Sequence, residues 1–188
     1  MSLSDFFKKK TEKEEFDPIK DLVLSKLKVG YLVDYDGKTL EVCAYNIYDW
    51  DNEFTEEWEL KGSDAKGQDN IISLVMEKYD SQLIWLLSSK VALSNIDRSI
   101  LEIIKRDEDP PTEITYKTKK YFLAQTSAGY FLKDGKGDGV ELITWDYEDE
   151  EEENFITLKQ WGEDEFELYE GKFVKEYEFT NILPRNIN

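Results

Sequence analysis

Apolar and polar positions alternate with a period of two over most of this chain, and that period predicts strands. The stretch "YLVDYDGKTLEV" predicts a hairpin, because Asp36-Gly37 sits between two apolar runs and tolerates the positive φ of a tight turn. In "EVCAYNIYDW" both faces are apolar: Val42, Ala44, Tyr48 and Trp50 point one way, Cys43, Tyr45 and Ile47 the other. That pattern predicts a strand buried on both sides, with Cys43 as a small buried hydrophobe. "EEWELKG" alternates cleanly, with Trp58 and Leu60 inward and Glu57 and Glu59 outward. "IISLVMEKY" and "LIWLL", joined by "DSQ", predict a second hairpin. "YFLAQTSAGYFLK" reads as two strands around a glycine turn, and "VELITW", "NFITLKQW", "DEFELYEG" and "KFVKEYEF" follow as further strands.

Two stretches depart from this period. In "PIKDLVLSKLKVG", Ile19, Leu22, Val23 and Leu27 fall near helical spacing and Gly30 is a stop. In "SNIDRSILEIIKRDEDPP", Ile96, Ile100, Ile103 and Ile104 fit one helical face, but their β-branching suits a strand equally, so residues 96–106 fit either. Pro110-Pro111 ends that element and is the best boundary in the chain. The organisation expected is an N-terminal arm (1–17), a first β-rich half (18–109) and a second (110–188). An echo links the halves. "EVCAYNIYDWDNEFTEEWELKG" and "GVELITWDYEDEEEENFITLKQWG" both run from a strand ending in Trp-Asp, through an acidic turn, to a strand with Leu-Lys and a following Gly. The fold class expected is mainly β: two related β-rich halves, of sandwich or small-barrel type, packed together with one or two short helices.

Composition supports a packed core. The chain has 188 residues, 40% of them hydrophobic, with 11 Tyr, 10 Phe and 5 Trp, and bulky rings bury large areas each. Net charge is −18; the first 28 residues carry +1, so the remainder carries −19. That field repels a phosphate backbone and excludes ordinary nucleic-acid binding, while it suits a basic protein partner. No apolar run is long enough to cross a bilayer, and a cytoplasmic protein is expected. Phe6 and Phe7 before Lys8–Lys10 offer a weak contact with an anionic membrane surface.

The residue types limit the chemistry. There is no His, and Cys43 is the one Cys, which removes disulfides, Cys-based zinc sites and most triads. Seven of the eight residues from Asp146 to Glu153 are carboxylates, but a consecutive run supplies charge without convergence on one point, and so predicts a solvated turn and no metal site. "DGKGDGVELITW" begins like a calcium loop, yet Lys136 and Trp145 occupy positions that need oxygen ligands. "SDAK", Ser63 to Lys66, matches a nucleophile–base spacing but lies in a loop without partner motifs. No catalytic residue, metal or cofactor is expected.

The order "LKVGYLVDYDGKTLEV", "EEWELKG", "LIWLL", "YFLAQTSAGYF" and "ITWDYEDEEEENFITLKQWGEDEFELYEGKFV" resembles the bacterial domain-of-unknown-function family numbered 4178, over about residues 26 to 179. Tyr31 stands after Gly30 where the resemblance leads one to expect an acid. The resemblance implies a soluble bacterial domain with no assigned activity, and it transfers no catalytic residue.

The function expected is a non-enzymatic binding or scaffold module that engages a protein partner through an acidic, aromatic-flanked rim. Trp50, Asp51, Trp145, Asp146, Tyr147 and Trp161 are its candidate residues, because they stand at apparent strand ends beside acids or Gly. Two alternatives belong to other classes. A carboxylate-based or divalent-cation-dependent hydrolase requires acids from distant segments to converge in a pocket. An acidic DNA mimic requires acids in rows at phosphate-like spacing.

Overall fold

The computed structural model describes residues 18–63 and 67–184. The expected N-terminal arm, its Phe6-Phe7 and Lys8–Lys10 contact, and Asp64 to Lys66 of the "SDAK" motif lie outside the described residues. The strands are β1 (Leu32–Tyr35), β2 (Lys38–Trp50), β3 (Glu53–Ser63), β4 (Asp69–Tyr79), β5 (Gln82–Val91), β6 (Glu113–Tyr116), β7 (Lys119–Leu132), β8 (Val140–Glu148), β9 (Asn154–Trp161), β10 (Glu165–Val174) and β11 (Phe179–Leu183). The helices are a single turn, α1 (Pro18–Asp21), and α2 (Arg98–Asp107). The residues left open between helix and strand resolve as α2. Asp97 caps it by accepting from the Ser99 N–H at 2.8 Å, and Glu108 ends it in the left-handed region at φ 58°.

All strands join one antiparallel sheet in the order β11-β1-β2-β3-β4-β5-β10-β9-β8-β7-β6. A further pairing of Ile47–Asp49 in β2 with Tyr130–Leu132 in β7 closes eight of them into a barrel. The seam shares edges. The first part of β2 pairs with β1 and its last part with β7, while the first part of β7 pairs with β6 and its last part with β2. Strands β2 to β5 come from before Pro110 and β7 to β10 from after it.

The barrel places its apolar residues on the outside of the sheet, under covering elements. One cluster packs Trp58, Leu60, Leu74, Met76, Trp85 and Leu87 of the wall against Leu24, Leu27, Val33, Tyr35 and Phe179. The other packs Trp145, Tyr147, Ile156, Leu158 and Leu168 against Ile100 and Ile104 of α2 and Ile114 and Tyr116 of β6. The opposite face of each wall strand, which points into the lumen, is largely polar. This corrects the expectation for β3. Trp58 and Leu60 are core residues, but Glu57 and Glu59 face the lumen, and Glu57 is buried. A sheet covered outside and closed inside has no free face, so a period of two cannot say which set meets water.

Two other local readings change for the same reason. The register of β2 shifts between Val42 and Ala44. Val42 therefore joins the outer core while Asn46 and Tyr48 turn into the lumen, and Cys43, at the bulge, is exposed instead of buried. Gly129 does not turn the chain, because β7 runs straight through it. A Cβ there would lie 2.2 Å from the Asp49 carbonyl oxygen and 2.7 Å from the Trp50 ring, so the missing side chain is what lets β2 reach β7. Gly171 likewise lies within one strand, β10, where "DEFELYEG" and "KFVKEYEF" read as two; its Cβ would meet the Phe155 ring at 2.2 Å.

Candidate functional site

The lumen is filled by a hydrogen-bonded network from several strands. Glu57 on β3 accepts from the Tyr48 hydroxyl of β2, and from Ser73 Oγ of β4 at 2.5 Å. Lys159 on β9 donates to Tyr48 Oη at 2.6 Å and lies over the rings of Tyr48 and Tyr169, 4.7 and 4.5 Å from their centres. Burial pushes the Tyr48 hydroxyl well above its ordinary pKa, and Glu57 adds to this, so Tyr48 stays protonated as a donor. Asp146 accepts from Thr157 Oγ1 at 2.5 Å. Burial raises its pKa, opposed by Thr157, Lys159 and Thr144. A cavity of about 60 Å³ remains, lined in part by Trp50, Glu77, Asp146 and Phe155. It has room for water but not for a sugar ring or a nucleoside. Among the described residues, no group of three or more His, Cys, Asp or Glu is arranged to hold a metal ion.

Strands β2, β4, β8 and β10 run in one direction, and the barrel end at which they finish is acidic. There a groove of about 840 Å³ lies between the β4–β5 and β8–β9 turns and the chain following β10, with Leu83, Ile84, Phe173, Tyr177, Glu148 and Glu152 in its walls. Leu83 is 44% and Tyr177 80% exposed. Glu77 lies just inside the mouth. Burial raises its pKa from the ordinary 4.5 to about 7, with Asp146 and Glu148 adding to the rise. Glu148 is also raised, by burial and then by Glu152, Asp146 and Asp149. Glu77, Glu148, Glu152 and Glu176 make no ion pair among the described residues. The mouth thus concentrates negative charge, with Lys175 the one cation in the groove's lining among the described residues.

The acidic run divides at Asp149. This carboxylate is buried and accepts from the N–H groups of Glu153 and Asn154 at 2.9 and 3.1 Å, from Asn154 Nδ2 at 2.6 Å and from Lys119 Nζ at 2.8 Å. Burial opposes its charge, but Lys119 and these donors outweigh it and hold the carboxyl far below the usual range. Glu150 to Glu153 splay into solvent around this pin, and Lys119 also meets Glu151 at 2.6 Å.

The candidate residues separate in space. Trp50 and Asp51 end β2, with Asp51 exposed in the turn. Trp50 stacks on Tyr48 at 5.4 Å and donates to Thr55 Oγ1 at 3.2 Å. Asp146 is in mid-strand and faces the lumen. Trp145 and Tyr147, on the opposite face of β8, are 2% and 0% exposed in the outer core, where Tyr147 donates to the Pro111 carbonyl at 2.9 Å. They do not stand on a rim, because β8 continues to Glu148 and is covered by α2 and β6. Trp161 ends β9 at the other end of the barrel, donating to Glu167 Oε2 at 3.0 Å. Sequence reasoning missed Glu77, Leu83 and Tyr177. The available signal was that Ser73, Val75 and Glu77 form the less apolar set of β4, opposite Leu74 and Met76.

The fold and site define a closed antiparallel eight-stranded barrel with a polar, side-chain-filled lumen and a charged, open end. The chain belongs to the family described as Domain of unknown function (DUF4178), which matches residues 28–176. An uncharacterized protein from Aquifex aeolicus (strain VF5) is 28% identical over 183 residues, covering 97% of this chain and 97% of its own. No solved structure matches the chain. Among the described residues no helix is long and apolar enough to cross a membrane.

Proposed function

We propose that the protein is a non-enzymatic binding module that takes a basic, amphipathic protein segment at the acidic mouth of the barrel. The observation that carries this is the groove itself, where exposed Leu83 and Tyr177 lie beside Glu148 and Glu152, carboxylates without cationic partners among the described residues. An apolar surface of this kind is costly to leave wet, and crowded carboxylates are costly to leave unneutralised; one cationic amphipathic partner relieves both. The partner expected from the sequence stays basic, while the rim shifts from Trp145 and Tyr147 to the groove. Trp50 and Asp146 line the lumen cavity and not this groove. The lumen cavity is too small to support the hydrolase alternative with a substrate of ordinary size. The same reading takes β2–β5 and β7–β10 as the two related halves suggested by the Trp-Asp echo.

The test is fluorescence anisotropy with a labelled amphipathic Lys/Leu peptide and its Glu/Leu counterpart. The basic peptide is expected to bind and the acidic one not. Glu148→Lys/Glu152→Lys/Tyr177→Ser is expected to abolish binding, while Glu163→Lys/Glu165→Lys, at the opposite end, leaves most of it. Equal weakening by both variants would show attraction to net charge alone and remove the groove from consideration.

A further inference from the structure

At the barrel end opposite the mouth, the chain's charge reverses locally. A groove of about 690 Å³ outside the barrel is lined by Lys26, Lys28, Lys133 and Lys136, with Tyr45 and Val29 as apolar wall. The acids in its lining are Glu56 and Asp134, leaving a net of +2 in a chain of −18. Glu56 is already engaged, accepting from Tyr45 at 2.9 Å and lying 3.7 Å from Lys78. Acids outnumber bases 42 to 24, and several lysines elsewhere find them: Lys61 with Asp69, Lys90 with Glu167, Lys105 with Asp164, Lys117 with Glu170. Lys28, Lys133 and Lys136 make no ion pair among the described residues, and Lys26 meets Asp21 at 3.1 Å.

Both walls are fixed. The Trp58 indole donates to the Leu27 carbonyl at 2.9 Å, and Gly30 N–H to the Val42 carbonyl at 2.7 Å, which anchors the segment carrying Lys26 and Lys28. Asp134 N–H donates to Asn46 Oδ1 at 3.2 Å. Gly135, at φ 63°, lets the loop carrying Lys133 and Lys136 lie against Tyr45 and Ile47, where a Cβ would already sit 3.2 Å from both side chains. Ammonium groups of like charge, held near one another by anchored backbone and left unpaired, form a pre-organised anion site.

We infer that this groove binds a compact small molecule bearing two or more linked phosphates. Lysines from two separate segments match a ligand that spreads its negative charge over several oxygens. A small ligand fits inside the groove, whereas a long phosphate backbone would run on into the acidic field of the remaining surface. This reading is independent of the acidic mouth.

The experiment is isothermal titration calorimetry of the full chain with inorganic phosphate, pyrophosphate and tripolyphosphate, alongside sedimentation with phosphatidylglycerol and phosphatidylcholine vesicles. Saturable one-site binding that tightens with phosphate number is expected. Lys28→Gln/Lys133→Gln/Lys136→Gln should weaken tripolyphosphate binding about tenfold, the sum of three exposed charge contacts. Lys38→Gln/Lys175→Gln, which alters exposed lysines elsewhere, should leave it unchanged. Far-UV circular dichroism checks that both variants fold. No saturable binding to any of the three anions overturns the inference, and so does an equal loss in the two variants. Retention on phosphatidylglycerol vesicles without tripolyphosphate binding overturns it in favour of a lipid surface.

Discussion

Glu77→Gln isolates the electrostatic cost of the mouth. The substitution keeps the side chain's shape and removes its charge. A carboxyl whose folded pKa lies above its unfolded value binds its proton more tightly in the folded state. Its contribution to stability is therefore intact below pH 4.5, is lost as pH rises toward about 7, and is absent above that. At about 1.4 kcal/mol per pH unit, a rise from 4.5 to about 7 corresponds to about 3 kcal/mol. Partial solvent access at the mouth reduces this to about 2 kcal/mol. Urea denaturation followed by tryptophan fluorescence, at several pH values from about 4 to about 8, measures it. Wild type and Glu77→Gln should be nearly equal near pH 4, and the variant should be about 2 kcal/mol more stable near pH 8. Taking the difference between the two proteins cancels groups such as Asp149, whose pKa is lowered. A difference that stays constant with pH, or a wild type that is the more stable near pH 8, would refute the account of Glu77 as a crowded, desolvated acid.

Three further outcomes follow from the packing. Gly129→Ala places a methyl group 2.2 Å from the Asp49 carbonyl oxygen; opening the β2–β7 seam should cost about 2 to 4 kcal/mol, against about 1 kcal/mol for Gly137→Ala, which meets only backbone strain, and equal costs in urea would contradict the seam's role. Asp149→Ala removes the acceptor of four hydrogen bonds and should cost about 3 kcal/mol at neutral pH, with the loss starting to shrink once pH falls below the ordinary carboxylate value of 3.8, where the unfolded chain takes up a proton that the folded Asp149 still refuses; thermal melts at pH 7 and about pH 3 would show the onset. Trp145→Ala should cost about 3 to 5 kcal/mol in chemical denaturation, as a core residue does; a cost under about 1 kcal/mol would place the indole at the surface after all.

How much of this was legible beforehand divides along one line. Pattern and punctuation determined the strands, the tight Asp36-Gly37 hairpin, the solvated end of the acidic run at Glu150–Glu153 and a strand-rich fold of small-barrel or sandwich type, because these depend on neighbours a few residues apart, whereas Asp146 and Asp149 of the same run are drawn inward. The identity of the core residues was mostly legible too: Trp58, Leu60, Trp85 and Ile100 and Ile104 of α2 are buried. Which side of each strand became lumen was not. Glu57, Glu77 and Asp146 turn inward because β2 meets β7 across some eighty residues of chain and closes a second, polar interior. Gly129 and Gly171 look like turn residues along the sequence, and only the strand or ring packed across them shows that they stay in mid-strand to permit close approach. The acidic mouth and the lysine groove are each assembled from segments far apart in the chain, and a one-dimensional pattern carries no record of which distant charges the fold brings together.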